Sequence, residues 1–150
     1  MILSNIQTVD VFVNSAKLND LKILHLSDLH INKKTNLENV QKLVNLCNDL
    51  VFDFCVITGD IIDTKVKFIK EQLQILNTLK FKVYYISGNH DLFYGLEDLK
   101  KELSNFIFMD NSCKEFVYKN ETVFLAGLPD RFSKFFGIKR EEQKIKNYLL

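Results

Sequence analysis

Asp28-Leu29-His30, Gly59-Asp60-Ile61-Ile62-Asp63 and Gly88-Asn89-His90-Asp91 are three short polar clusters, each set directly after an apolar run. Together they offer carboxylates, an amide oxygen and two imidazoles. A mixed oxygen and nitrogen donor set suits Mn²⁺, Fe²⁺ or Zn²⁺ better than Ca²⁺, which takes oxygen ligands. Asp60 follows Asp28 by 32 residues and Asn89 follows Asp60 by 29, about one strand–helix–strand unit each. One such turn reads as a cap for the next helix, because Asp and Asn accept from free helix amides. Three of them, each with a His or a second Asp, read as a single site. Gly59 and Gly88 are expected to let backbone pass close to ions or phosphate.

Such a site needs elements that carry remote turns to one place. Residues 22–27 (KILHLS), 54–58 (FCVIT) and 82–87 (KVYYIS) read as strands, and Val9, Val11 and Val13 alternate as in a half-buried one. TNLE (35–38) reads as a capping box, with Thr35 the cap and Glu38 reciprocating. The helix it opens is expected to bury Leu37, Val40, Val44 and Cys47, with Leu43 and Leu50 alongside. Further helices are predicted over 66–80, 95–104 and 138–150. Residues 106–109 (FIFM) read as another strand, and EFVY and TVFLAG as a hairpin about Lys119-Asn120-Glu121.

Strands alternating with helices predict an α/β fold with a mainly parallel sheet flanked by helices, mixed where 106–127 adds strands. In a parallel sheet all carboxyl ends share one edge, so the three turns meet there. His25, inside its strand, is expected to be a core histidine or a support for the ligands.

The chain has 150 residues, 47% hydrophobic and 26% charged, the balance of one globular domain over 1–150. A net charge of +1 makes no electrostatic case for a nucleic-acid or anionic-membrane partner. No apolar run reaches membrane-span length, and the first residues lack a signal-peptide pattern. Cys47, Cys55 and Cys113 are odd in number and form no CxxC pair, as expected of buried thiols in the cytoplasm.

The wording SDLH, GDIID and GNHD, in that order and spacing, resembles the signature of calcineurin-like metallophosphoesterases. ILHLSDLHI, GNHDLFYGLEDLKKEL and VFLAGLPD look most like the bacterial membrane-peripheral branch, and the resemblance covers roughly residues 9–130. It implies an incomplete α-β-β-α sandwich. Asp28 and His30 would bind a first metal, Asp60 would bridge two, and Asn89 would bind the second. His90 would face the substrate with Asp91 orienting it, while Asp63 and His25 would support the ligands. The resemblance further implies two divalent metals (Mn, Fe or Zn) that activate a water for in-line attack. The implied substrate is a phosphorylated small molecule or a lipid-linked diphosphate, with peripheral membrane contact.

The family pattern also has later histidines, whereas this chain has three in all, His25, His30 and His90. The expectation is therefore a C-terminally truncated domain that holds as few as one metal, with Asp110 and Asp130 as weak substitutes. Exposed apolar surface, self-association or a complementary chain follows from that expectation. The competing readings are a non-catalytic remnant or interaction module that keeps the fold, and a DNA-repair nuclease, which the near-neutral charge disfavours.

Overall fold

A computed structural model describes residues 7–12 and 16–148. Its centre is a parallel sheet of β1 (Ile23–Leu26), β2 (Phe54–Ile57), β3 (Val83–Tyr85) and β4 (Ile107–Phe108), in that spatial order. The crossovers are α1 (Leu37–Asn48), α2 (Lys70–Leu76), and the pair α3 (Asn89–Tyr94) and α4 (Leu96–Glu102). A two-stranded antiparallel sheet of β5 (Ser112–Tyr118) and β6 (Glu121–Gly127) follows, then α5 (Glu142–Tyr148) against β5. The fold is thus the expected α/β arrangement of helices on a parallel sheet, with a second small sheet.

Alternation along the strands sorts their side chains between two faces. Cys55, Ile57, Val83 and Tyr85 join Val40, Val44, Leu73, Leu76 and Leu99 in the main core on the helix side. Phe54, Tyr84 and Met109 face the other way and meet Phe116 and Leu125 of the hairpin in a smaller core. The hairpin turns through Lys119 and Asn120, both at positive φ (47° and 64°), the backbone signature of a type I′ turn.

Several local expectations fail for identifiable reasons. Val9 and Val11 are exposed and belong to no strand, while Val13 lies outside the described residues. Asn36, not Thr35, caps α1, accepting from the Asn39 N–H at 2.8 Å. Thr35 is buried and its hydroxyl already accepts from the Asn32 N–H at 3.1 Å, so it is spent inside the preceding loop. Glu38 pairs with Lys42 instead of reciprocating, at 2.7 Å. Leu37 is exposed. The segment 66–80 splits into a 3-10 turn (Val66–Phe68) and α2, because buried Ile69 leaves helical geometry at φ −136°. The cluster after β3 is expected as a turn, yet residues 89–94 form α3, which ends at Gly95 (φ 125°) before α4 begins.

Candidate metal centre

The three polar clusters lie at the carboxyl ends of β1, β2 and β3, on one rim of the sheet. The first two are joined backbone to backbone beyond the strands. Asp28 N–H donates to Gly59 O (3.2 Å), His30 N–H to Asp60 O (3.0 Å) and Ile31 N–H to Ile61 O (2.9 Å), and Asp63 N–H returns to Ile31 O (2.9 Å). Asp28, His30 and Asp60 all sit at positive φ, 54°, 45° and 53°. Non-glycine residues adopt that region at a cost, which the surrounding ladder must hold in place.

The third cluster joins through side chains. Asp60 Oδ1 accepts from the His90 N–H at 3.0 Å, which leaves Oδ2 facing His30 Nε2 at 4.0 Å. His30 Nε2 also lies 3.7 Å from Asp28 Oδ1, and Asp28 takes a short hydrogen bond from the Ser27 hydroxyl. The ligand atoms of Asp28, His30 and Asp60 all lie within 4.8 Å of one another, and so do those of His30, Asp63 and His90. The His30 and His90 rings meet edge to face at 4.7 Å. Carboxylate oxygens and imidazole nitrogens this close fit a divalent transition metal. Asn89 opens α3 between Gly88 and His90.

Gly59 and Gly88 lie at the close approach of the second turn to the third. A Cβ on Gly59 would meet Gly88 N at 2.5 Å, and one on Gly88 would meet Asp60 Oδ1 at 2.1 Å. Close packing of the second turn on the third is what requires a glycine at both positions.

Two further roles change. His90 Nδ1 meets Asp63 Oδ1 at 2.9 Å, so Asp63 orients the imidazole. Asp91 is fully buried and takes only backbone donors: Ile61 N–H (2.9 Å) and Ile62 N–H (3.1 Å) on Oδ1, and Gly88 N–H (3.0 Å) on Oδ2. Asp91 therefore ties the second turn to the third and does not touch the His90 ring. Burial raises its pKa from 3.8 to about 6, outweighing the amide bonds that lower it, and nearby Asp60 adds to the rise. His25 is exposed and bonds Thr58 Oγ1 at 2.7 Å, so it is not a core histidine.

The two spare carboxylates are also committed. Asp110 accepts from Ser87 N–H (2.9 Å) and Oγ (2.5 Å), and burial raises its pKa. Asp130 accepts from Phe132 N–H at 2.7 Å and starts the 3-10 turn Arg131–Phe136. That turn packs against α3 and forms with it an aromatic groove beside His90. The hydrophobic periods do not disclose it, and its signal in the sequence is the four aromatics in Phe93-Tyr94 and Phe135-Phe136, plus Phe132.

A parallel sheet whose strand-end turns gather carboxylates, imidazoles and an amide on one rim defines a metal-binding α/β protein. The chain belongs to the calcineurin-like phosphoesterase family, whose pattern matches residues 21–146. It is 31% identical over 130 residues to an uncharacterized metallophosphoesterase of Campylobacter jejuni, covering 83% of this chain and 33% of that one. An uncharacterized metallophosphoesterase of Helicobacter pylori is 29% identical over 119 residues, covering 77% and 31%. A zebrafish transmembrane protein with a metallophosphoesterase domain is 31% identical over 93 residues, covering 58% and 21%. The chain thus spans about a third of the length of its bacterial relatives here. No helix among the described residues is long and apolar enough to cross a membrane.

Proposed function

We infer that the chain carries the metal-binding part of a hydrolase that cleaves a phosphoester or diphosphate bond. Asp28, His30, Asp60 and Asn89 hold one or two divalent cations, Mn²⁺, Fe²⁺ or Zn²⁺. When bound, such cations supply Lewis acidity and an activated water. His90 then faces the phosphoryl group, as proton donor to the leaving oxygen or as hydrogen-bond donor to a phosphoryl oxygen. Asp63 fixes the ring by accepting at Nδ1, which leaves Nε2 for the substrate. Asp91 holds the two turns in register and takes no part in the chemistry.

The observation that carries this reading is the convergence of Asp28, His30 and Asp60 within 4.8 Å, with the Asp63–His90 pair on the same rim. Cytoplasmic residence belongs to the same reading. It is supported by three free cysteines, of which Cys47 and Cys55 are buried with pKa values pushed up to about 11 and about 12.

The test is Mn²⁺-dependent turnover of bis(4-nitrophenyl) phosphate, with chelator, Asp60→Asn and His90→Ala as controls. Turnover in the Asp60 variant equal to the parent's rejects the assignment. One observation favours a second reading: the rim offers only two imidazoles, His30 and His90. A non-catalytic module with a single weak metal would bind at most one equivalent by titration and turn nothing over unless a histidine-bearing partner chain is added.

A further inference from the structure

We propose that His30, Asp63 and His90 form a second cation site, selective for Zn²⁺ over Mn²⁺, whose occupancy silences the rim by withdrawing both imidazoles from it. The silencing rests on the phosphoester reading of the rim, whereas the binding does not. The ligand atoms of these three residues lie within 4.8 Å of one another, as do those of Asp28, His30 and Asp60. The two groups share His30 and nothing else.

Backbone brings the three together, so little ordering is left for a cation to impose. Asp63 N–H donates to Ile31 O at 2.9 Å, which ties Asp63 to the residue after His30. His30 N–H donates to Asp60 O and His90 N–H to the Asp60 carboxylate, both at 3.0 Å. The two imidazoles already touch edge to face. The side chains of His30, His90 and Asp63 are 36%, 35% and 34% exposed, open to an ion arriving from solvent.

Asp63 Oδ1 and His90 Nδ1 stand 2.9 Å apart. Two ligands each ~2.0–2.2 Å from one Zn²⁺ stand about 3 Å apart or slightly more, so a small opening of this pair admits the ion. Zn²⁺ then takes the place of the Nδ1 proton, which moves to Nε2 and leaves the ring neutral.

Donor type separates the two sites. Asp28, His30 and Asp60 offer two oxygens to one nitrogen, a set that suits Mn²⁺. His30, Asp63 and His90 offer two nitrogens to one oxygen, and imidazole favours Zn²⁺ over Mn²⁺. Two imidazoles and a carboxylate also leave a tetrahedral Zn²⁺ one position for water.

The shared imidazole makes the sites exclusive. A neutral imidazole has one nitrogen free to accept, and His30 Nε2 lies 3.7 Å from Asp28 Oδ1 and 4.0 Å from Asp60 Oδ2. His30 therefore serves one cation at a time. Zn²⁺ at the second site leaves the first group with carboxylates alone. It also holds His90, whose ring then cannot become the imidazolium that gives a proton to a leaving oxygen.

The test labels the histidines of the full chain with ¹⁵N and adds Zn²⁺ stepwise at fixed neutral pH. Only His25, His30 and His90 contribute ring signals. The His30 and His90 nitrogens should shift together as the first equivalent binds, with His25 unmoved. Asp63→Ala and His90→Ala should each weaken Zn²⁺ at least about tenfold and leave Mn²⁺ affinity, read by electron paramagnetic resonance, unchanged. The Asp63 side chain is partly exposed and the ladder uses its backbone, so the fold is not at stake. A shift of His30 alone would put Zn²⁺ between Asp28 and Asp60 and overturn the proposal, as would unchanged Zn²⁺ affinity in either variant.

In the parent, Zn²⁺ should release bound Mn²⁺ and abolish Mn²⁺-dependent turnover of bis(4-nitrophenyl) phosphate. Mn²⁺ that stays bound while both rings shift refutes the exclusivity and with it the proposal. Turnover with His90 unmoved by Zn²⁺ refutes this proposal alone. Joint ring shifts and Mn²⁺ release without any turnover support the site and strike only the phosphoesterase reading.

Discussion

Replacing Asp91 by alanine should cost far more than its single position suggests. The side chain is fully buried and accepts from the Ile61, Ile62 and Gly88 N–H groups. Removing it leaves three buried donors without partners, each costing about 1–3 kcal/mol, less whatever water enters the space. A loss of at least about 3 kcal/mol is expected in urea unfolding, a large share of the ~5–15 kcal/mol that holds a domain together.

Asp91→Asn separates charge from hydrogen bonding. The amide oxygen can keep Ile61 and Ile62, while its NH₂ opposes Gly88. In the parent the rise of the pKa from 3.8 to about 6 corresponds to about 3 kcal/mol against the ionised form at neutral pH. Since the folded value is raised, the stabilising contribution is complete below 3.8 and is lost as pH climbs through about 6. The stability of the parent minus that of Asp91→Asn should therefore grow by roughly 1–2 kcal/mol from pH 7.5 to pH 4.5 in metal-free buffer. A pH-independent difference, or an alanine variant within 1 kcal/mol of the parent (roughly a single hydrogen bond), would refute this account of Asp91.

Asp63→Asn should leave the urea midpoint unchanged, since Asp63 is partly exposed, while Mn²⁺-dependent turnover falls about 10–100-fold because His90 loses its partner. Gly88→Ala places a Cβ 2.1 Å from Asp60 Oδ1. It should weaken Mn²⁺ binding in calorimetric titration and lower the melting temperature together. Asn36→Ala removes the α1 cap and should cost about 1 kcal/mol, whereas Glu38→Ala should cost less than about 0.5 kcal/mol, the range of an exposed helical ion pair; both are read from urea denaturation.

The parallel sheet and the convergence of the rim were legible because both depend on period and order. Apolar runs of strand length, spaced by a helix each, bring Asp28, Asp60 and Asn89 to one edge wherever the exact boundaries fall. Side-chain direction was not legible. Asp63 and Asp91 both lie close in sequence to motif residues. Only the start of α3 at Asn89, which turns Asp91 back onto the Gly88 amide, decides that Asp63 meets the imidazole. Thr35 and Asn36 are both good caps by type, and the choice was made by the Asn32 amide claiming the threonine hydroxyl. The alternation of Val9 and Val11 is a true period, yet among the described residues neither belongs to a strand. The aromatic turn 131–136 was not legible, because a 3-10 turn repeats at neither the strand nor the α-helix period.

The backbone ladder between Asp28–Ile31 and Gly59–Asp63 has a kinetic consequence. Every bond in it closes a loop of about thirty residues, and the Asp91 ties close loops of similar length. Contacts so remote along the chain form late and slowly. Cation affinity should accordingly emerge in the slowest refolding phase, with nascent helices already present and still unable to capture an ion.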